Sequence, residues 1–443
     1  MHERRRRQNL AFAALWNLHH HRYVPCTPHN IPSQLFLTQS ERSMKIGPFA
    51  STEPLPLLPT EIIEHIIAYL DLLQDVTFRQ RTIWACCLLS RSWYTGAIKT
   101  LYRSPVLTGR NFDLFTRTIC PPVHSNARAI GLEALVVDLD MGSLAYESTK
   151  SLTARMLRRT HKSLETFVAP AVSFSLAGLA PLSKSPHLRC LDLSNDSYHI
   201  NVNELLRSIS DIENLWYLSL PRNALHTTYL SISRFSFRWP PGITHLQING
   251  ALPDDRDGWE GLIDSLPESL VAISFQHLRD LKPFWNLQDS SSRAESIRRL
   301  SIGEPARDSQ LELRGLLDVF PNIKRADIPL SGWDPAEWGS RGIDSKLERI
   351  WLQEGMLRRI ITPRYLMQFA EPLKSLRRIQ MSPKSLAIKN YLETRDFEYL
   401  KDLLTSRKPL GTKLEAGLFS DAGSLIKANE TDDFWANVEG GSD

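Results

Sequence analysis

One short apolar template recurs along most of this chain and constrains its fold more than any other feature. The template L-x-x-L-x-L, with conservative apolar replacements, can be read ten times between residues 132 and 381. Successive copies begin 24 to 32 residues apart. A unit of this length cannot bury its own apolar face, so neighbouring units are expected to stack. The copies begin at Leu132, Leu164, Leu188, Leu215, Ile243, Leu270, Ile297, Ile323, Leu347 and Leu376.

This spacing is typical of leucine-rich repeats. Each unit is predicted to contribute a short strand with apolar residues at positions 1, 4 and 6, then a turn and a returning helix. Segments such as Val202–Ile209 and Leu313–Phe320 have the helical spacing expected of these outer helices. The predicted fold class is α/β, a curved solenoid with a parallel inner sheet and outer helices. A propeller needs a longer period, and a doubly wound sheet would not keep one strand motif through ten cycles.

Charge is distributed unevenly along the chain. The 443 residues carry a formal net charge of +4, from 53 Lys and Arg against 49 Asp and Glu. The first 50 residues hold seven basic and two acidic residues, so they contribute +5 and the remainder contributes −1. Residues 1–52 are therefore predicted to be a disordered basic tail. The near-neutral body, which lacks any known nucleic-acid motif, predicts no nucleic-acid partner.

Cysteine usage and hydropathy restrict the compartment. The five cysteines are odd in number and irregularly spaced, which favours a reducing compartment without a disulfide framework. No stretch approaches the ~18 consecutive apolar residues of a membrane-spanning helix, so no membrane interaction is predicted. We expect a cytoplasmic or nuclear protein. The basic N-terminus followed by a short apolar run leaves a mitochondrial transit peptide and a nuclear-localisation signal as alternatives.

The segment before the repeats predicts a compact helical module at residues 53–103. Thr60 and Glu61 suit a helix start after Pro59. Isoleucines then recur at helical spacing, a second helix is predicted over roughly Phe78–Leu89, and a third carries Trp93. So small a module cannot bury all of this apolar surface, which must face either a partner or the rest of the chain.

Two parts of this module resemble the F-box. The segment LPTEIIEHI at Leu58–Ile66 is similar to its opening, and LLSRSW at Leu88–Trp93 is similar to its later segment in fungal members. The joint Asp71–Gln80 is longer and more polar than is usual in the family. The resemblance covers about 45 residues and implies binding to the Skp-type adaptor of a cullin-RING ubiquitin ligase. It implies adaptor contacts at Leu58, Pro59, Ile63, Ile66, Leu89 and Trp93.

Side chains at positions 3, 5 and 7 of the repeats are predicted to line the concave face. Position 3 of the last four units is always arginine, and adjacent strands lie ~4.8 Å apart. Such a ladder of like charges favours an acidic or phosphorylated client segment. The alternative is a solvated face with local pairing to Asp327 and Glu348. The candidate client-binding residues are Tyr217, Gln247, Arg299, Arg325, Arg349, Trp351 and Arg378.

No phosphate-binding loop, dinucleotide fingerprint, zinc-protease motif or nucleophile elbow occurs in the sequence. We therefore predict a protein that is not an enzyme and holds no cofactor or metal. The predicted organisation is a tail at 1–52, the helical module at 53–103, the solenoid at 104–404 and a loose C-terminal tail at 405–443. The predicted function is a substrate adaptor. The alternative is a repeat scaffold without a ligase role, in which the helical module only caps the solenoid.

Overall fold

Neighbouring strands of the sheet follow each other in chain order, and every neighbouring pair is parallel, in this computed structural model. Among the described residues, eleven strands form this single sheet. Their bounds are β1 Asp138–Asp140, β2 Thr166–Val168, β3 Cys190–Asp192, β4 Tyr217–Ser219, β5 His245–Asn249, β6 Ala272–Gln276, β7 Arg299–Ile302, β8 Arg325–Pro329, β9 Arg349–Gln353, β10 Arg378–Met381 and β11 Gly417–Ser420.

The structure describes part of the chain, and all structural statements refer to that part. The described residues are 58–109, 111–121, 131–144, 148–195, 200–222, 224–225, 237–252, 256–278, 294–303, 313–329, 346–353, 363–381, 395–407 and 417–420.

The strand register follows the repeat template from β2 to β10. Residues at position 4 of successive units, such as Phe167, Leu191, Leu218 and Leu246, pair with one another across the sheet. Each of these four side chains is completely buried. Because side chains alternate along a strand, the residues at positions 3 and 5 point to the opposite face. The prediction of one parallel strand per repeat is confirmed.

The first repeat begins later than predicted. Its strand is Asp138–Asp140, and the pairing of Leu139 with Phe167 makes Val136 its position 1. The predicted match at Leu132 instead forms a 3₁₀ helix over Leu132–Leu135. Two matches to the template overlap here, one beginning at Leu132 and one at Val136. The second match forms the strand, and its apolar residues Val136, Leu139 and Met141 are all completely buried.

Helices return between strands on the apolar side of the sheet. The predicted helix Val202–Ile209 has these bounds in the structure, and all four of its apolar side chains are buried. The helix predicted over Leu313–Phe320 ends one residue earlier. The helical bounds are α1 Thr60–Leu70, α2 Val76–Cys87, α3 Arg91–Arg103, α4 Phe112–Ile119, α5 Lys150–Thr160, α6 Leu176–Leu182, α7 Val202–Ile209, α8 Arg256–Ser265, α9 Leu313–Val319, α10 Pro363–Ala370 and α11 Arg395–Ser406.

Helix α4 covers the first repeat. Phe112, Phe115 and Ile119 are buried in the same apolar core as Leu139 of β1. The helix contacts α5 and the 3₁₀ helix beside it. The amide group of Asn111 orders the preceding turn, since it accepts from the Thr108 N–H and donates to the Val106 carbonyl. A helix outside the repeats therefore closes this end of the apolar core.

The C-terminal region differs from the predicted loose tail. Strand β11 continues the parallel sheet, with Gly417 opposite Arg378. In the repeat register only Leu418 occupies an apolar template position, so the template could not reveal this strand. Arg407 links the preceding helix to the repeat, because its Nη1 donates to the carbonyls of Ala370, Leu373 and Leu376.

The predicted tail at 1–52 lies outside the described residues. The residues from Thr60 to Ile426 form one compact unit. The other unit comprises Met1–Pro59 and Lys427–Asp443, and the structure describes only Leu58 and Pro59 of it. None of the helices in the described ranges is both long and apolar enough to cross a membrane.

Candidate partner-binding surfaces

Helices α1, α2 and α3 share an apolar core of their own. Ile63 and Ile67 of α1 pack with Ile83 of α2 and Ala97 of α3. Helices α1 and α3 approach closely at Gly96, where an added Cβ atom would lie 3.0 Å from Cγ2 of Ile63. This core is separate from the core of the repeats. The repeats are therefore not what buries the isoleucine face of α1.

Side-chain caps fix the helix starts in this module. Oδ1 of Asp75 accepts from the N–H groups of Thr77 and Phe78 at 2.9 and 3.0 Å, so α2 begins at Val76, two residues before its predicted start. Oγ of Ser90 accepts from the Trp93 N–H at the start of α3. Helix α2 ends at Cys87, and Leu88 and Leu89 consequently lie in the turn between α2 and α3.

Exposed large apolar side chains are concentrated on this module. Nine of the thirteen such side chains in the described residues fall between residues 58 and 94. Scattered exposed apolar residues are normal, but a concentration in a segment this short indicates a binding surface. The nine residues are Leu58, Ile62, Tyr69, Leu72, Phe78, Trp84, Leu88, Leu89 and Tyr94.

The predicted adaptor-binding residues divide into three groups. Leu58, Pro59 and Leu89 are exposed, as a contact surface requires. Ile66 and Trp93 are half-buried, and Trp93 packs against the module core. Ile63 is only 1% exposed, and this burial contradicts its predicted contact role.

Ile62, the neighbour of Ile63, is 45% exposed, but the sequence did not predict it as an adaptor contact. Helical spacing alone did not distinguish the two, because isoleucine occupies positions 62, 63, 66 and 67 and gives the helix a broad apolar arc.

The module is joined to the repeats through the end of α3. The Val137 N–H donates to the Arg103 carbonyl at 2.9 Å, and the Ser104 hydroxyl donates to Oδ2 of Asp138 at 2.5 Å. The Tyr102 ring stacks on Phe115 with 6.2 Å between centroids. These contacts involve the last turn of α3 and leave the exposed apolar side chains of α1 and the α2–α3 turn uncovered.

The arginine ladder of the inner face has the predicted register. Arg299 pairs with Arg325, Arg325 with Arg349, and Arg349 with Arg378 across β7 to β10. Arg299, Arg349 and Arg378 are half-buried. Arg325 is 9% exposed, and this burial contradicts its predicted role in client contact.

A buried ion pair stands inside this ladder. Nε of Arg325 lies 3.3 Å from Oδ1 of Asp327, whose side chain is almost completely buried. Burial raises the pKa of the Asp327 carboxyl, and the charges of Arg325 and Arg299 oppose that rise. Local pairing to Asp327, one part of the alternative interpretation of the ladder, is therefore present.

The middle of the inner face is a buried polar layer. The Tyr217 hydroxyl donates to Oε1 of Gln247 at 3.2 Å, and Nε2 of Gln247 donates to Oδ1 of Asn249 at 2.9 Å. Nδ2 of Asn249 in turn donates to Oγ of Ser219 at 3.0 Å. All four side chains are buried, which contradicts the predicted client contacts of Tyr217 and Gln247. This network connects β4 with β5. Trp351 of β9, another predicted client-binding residue, is half-buried.

His245 belongs to this buried layer. Burial, assisted by the positive charge of Arg299, lowers the pKa of His245 to about 3. The ring is therefore neutral at physiological pH. It lies edge-on to Trp216 at 5.0 Å between centroids, and its Nδ1 is 2.8 Å from Oγ1 of Thr244. These contacts indicate a packing role rather than a chemical one.

The described cysteines are buried thiols. Burial raises the pKa of Cys86, Cys87, Cys120 and Cys190, to about 11 for Cys87. They are consequently protonated and unreactive at neutral pH. Within the described ranges, no three His, Cys, Asp or Glu residues form a group that could hold a metal ion.

The chain thus combines an α/β fold, with one parallel strand per repeat, and a small helical module with exposed apolar side chains. Comparison with protein-family models finds no match. F-box protein YDR306C of Saccharomyces cerevisiae is 28% identical over 232 residues, which cover 50% of this chain and 46% of that protein. Protein pof5 of Schizosaccharomyces pombe is 30% identical over 276 residues, 61% of this chain and 73% of that protein.

The chain therefore belongs to the family of these fungal proteins, one of which is named an F-box protein. It spans about half the length of the Saccharomyces cerevisiae relative.

Proposed function

We propose that this chain is a substrate-recognition adaptor of a cullin-RING ubiquitin ligase. Helices α1 to α3 act as the F-box and bind the Skp-type adaptor, and the leucine-rich repeats bind a client protein. The concentration of exposed apolar side chains on a module with its own core carries this proposal. The name of the Saccharomyces cerevisiae relative supports it.

The proposed mechanism is proximity. The chain contributes no chemical group to ubiquitin transfer and holds the client close to the ubiquitin-loaded enzyme of the ligase. Tethering raises the effective concentration of client lysines near that enzyme, to the millimolar range for short connections. This role requires two separate binding surfaces on one chain and places the protein in the cytoplasm or the nucleus.

The proposed adaptor surface consists of Leu58, Pro59, Ile62 and Leu89, with Ile66 and Trp93 at its edge. The first four side chains are exposed, and aliphatic anchors around a helix end are typical of helix-in-groove interfaces. Ile63 supports this surface from the core.

The alternative function is a repeat scaffold in which the helical module is only a cap. The position of α4 argues against this alternative, because α4 supplies Phe112, Phe115 and Ile119 to the core at the first repeat. A cap made from α1 would instead bury Ile62 and Ile66 against the repeats. Ile62 is 45% exposed, and Ile66 is only half-buried.

The adaptor surface can be tested by binding of the purified Skp-type adaptor to full-length variants Ile62→Asp and Leu89→Asp. We expect each substitution to weaken binding about ten-fold or more, because a charge would replace an anchor in a desolvated interface. Leu114→Asp is the matched control, since Leu114 is 64% exposed on α4, outside the module. If the unmodified chain fails to bind the adaptor, the ligase role is excluded.

The proposed client surface lies on the inner face at its half-buried arginines, Arg299, Arg349 and Arg378, together with Trp351. An acidic or phosphorylated client segment is the chemistry that such a ladder favours. Replacing Arg349 and Arg378 by glutamate together should abolish binding of such a client while adaptor binding persists. Retained client binding in that variant would exclude this surface.

A further inference from the structure

The charges of the inner face are segregated by strand. The inner-face positions of β1 and β3 carry aspartates, at Asp138, Asp140 and Asp192. From β7 onward the inner-face charges are the arginine ladder and Asp327. Strands β4 to β6 carry neutral inner-face side chains between these two ends.

The acidic end is partly accessible. Asp138 and Asp140 are half-buried, whereas Asp192 is 5% exposed. One oxygen of each carboxylate is engaged locally, since Asp138 accepts from Ser104 and Asp140 accepts from the Gly142 N–H at 2.8 Å. These bonds fix the position of the carboxylates and do not neutralise their charge.

The described inner-face side chains of β7 to β10 include four arginines and one aspartate. Arg325 and Asp327 form the buried ion pair. Arg299, Arg349 and Arg378 are half-buried. The two ends therefore present opposite signs on one face of one sheet.

Buried groups between the ends respond to this separation. After burial itself, the charge of Asp192 is the next cause that raises the pKa values of Cys190 and Tyr217 on β3 and β4. On β5 the sign reverses, since Arg299 helps to lower the pKa of His245. The acidic side chain Asp192 thus acts on Tyr217 of β4, and the basic side chain Arg299 acts on His245 of β5.

We propose that this face binds a client segment of mixed charge, with a basic cluster over Asp138 and Asp140 and an acidic cluster over Arg349 and Arg378. The proposal rests on the client-binding role of the repeats and specifies the chemistry of the client. It also fixes the direction in which the client lies along the sheet.

The spacing of the two ends sets the size of the client segment. From β1 to β9 there are eight strand spacings of ~4.8 Å, so Asp138 and Arg349 lie about 38 Å apart along the sheet. An extended segment of roughly twelve residues spans this distance. The buried middle layer contributes little to binding, so affinity comes from two separated contacts. A nucleic acid, whose charge has one sign, would be repelled at the acidic end.

The proposal can be tested on the full-length chain with synthetic peptides and fluorescence anisotropy at low salt. One peptide carries a lysine block and a glutamate block joined by a Gly/Ser linker that spans about 38 Å. A second peptide has the same composition with the charges interspersed, and two further peptides carry one block each. We expect the two-block peptide to bind about ten-fold more tightly than any of the other three.

Variants of the chain assign each block to one end. Arg349→Gln should weaken binding of the glutamate-block peptide, and Asp140→Asn binding of the lysine-block peptide, each by about two- to five-fold. Neither substitution should change binding of the peptide that carries the other block. Arg158→Gln on α5 and Asp264→Asn on α8 are matched controls at exposed positions of outer helices.

Equal binding of the segregated and interspersed peptides would overturn the proposal, as would binding of the glutamate block alone with no contribution from lysines. Tighter binding of a single-stranded oligonucleotide would identify a nucleic-acid surface instead. Self-association in sedimentation velocity that is lost in Arg349→Gln would show that a second copy occupies the face. Because the adaptor is absent from these measurements, their failure leaves the adaptor-binding test of the proposed function unaffected.

Discussion

The helical module and the repeats differ in which side chains they expose and which they bury. The module exposes large apolar groups such as Tyr69 and Leu89 around a small core. The solenoid buries polar groups such as Gln247 and Asn249 in a hydrogen-bonded layer. Exposed apolar surface indicates a missing partner, whereas satisfied buried polar groups indicate a completed structure. The contrast supports the proposed partner-binding surfaces on the module and at the ends of the inner face.

The largest effect is expected within the module, between adjacent isoleucines. Ile63→Ala should lower the free energy of unfolding by about 3 kcal/mol, because it creates a cavity beside Gly96 in a small core. Ile62→Ala should change it by no more than about 0.5 kcal/mol. Chemical denaturation followed by circular dichroism measures both. Similar losses for the two variants would contradict the assignment of Ile62 to the surface.

An intermediate effect is expected in the polar layer of the solenoid, as a dependence on pH. His245 has a folded-state pKa of about 3, below its ordinary value near 6.5, so the unfolded chain binds the proton more readily. The stability contributed by the neutral ring is present above pH 6.5 and is lost as the pH falls toward 3. At pH 5 this loss is about 2 kcal/mol.

His245→Gln should therefore flatten the acid dependence of stability between pH 7 and pH 5. Thermal melts over this range provide the measurement, and His187→Gln is the control because His187 is exposed. An unchanged pH profile in His245→Gln would show that the ring is not held neutral by burial.

The smallest effect compares helix caps in the two regions. Asp75→Ala removes a carboxylate that accepts two N–H groups at the start of α2, and Thr149→Ala removes the hydroxyl that accepts from Leu152 at the start of α5. Each should cost about 1 kcal/mol.

Hydrogen exchange can separate the two losses, because the cores of the module and the repeats are distinct. Asp75→Ala should speed exchange mainly in α1 to α3, and Thr149→Ala mainly around α5. Uniform acceleration in both variants would mean that the two regions open as one.

The sequence predicted the features that follow from strong periodicity. One strand per repeat and the register of the arginine ladder could be read from the template, since parallel stacking aligns equivalent positions. The start of the first repeat could not be read from the template, because the matches at Leu132 and Val136 overlap. Only the packing of the core distinguishes these two matches. Strand β11 retains a single apolar template residue and gave no signal.

Burial was the property that the sequence predicted least well. Tyr217, Gln247 and Arg325 were correctly placed on the inner face but are buried there, because exposure depends on what packs against a face rather than on which way it points. Which of Ile62 and Ile63 is exposed likewise depends on how α2 and α3 pack against α1. Adaptor contact at Leu58, Pro59, Leu89, Ile66 and Trp93 remains a prediction.

The hydrogen bond from Val137 to the Arg103 carbonyl has a consequence for aggregation. A parallel sheet whose first strand is uncovered offers free backbone groups on which another chain can add a strand. Here the segment that leaves α3 occupies an N–H group at that edge, and α4 covers the apolar core beside it. The connection between module and repeats thus also discourages end-to-end polymerisation of the protein.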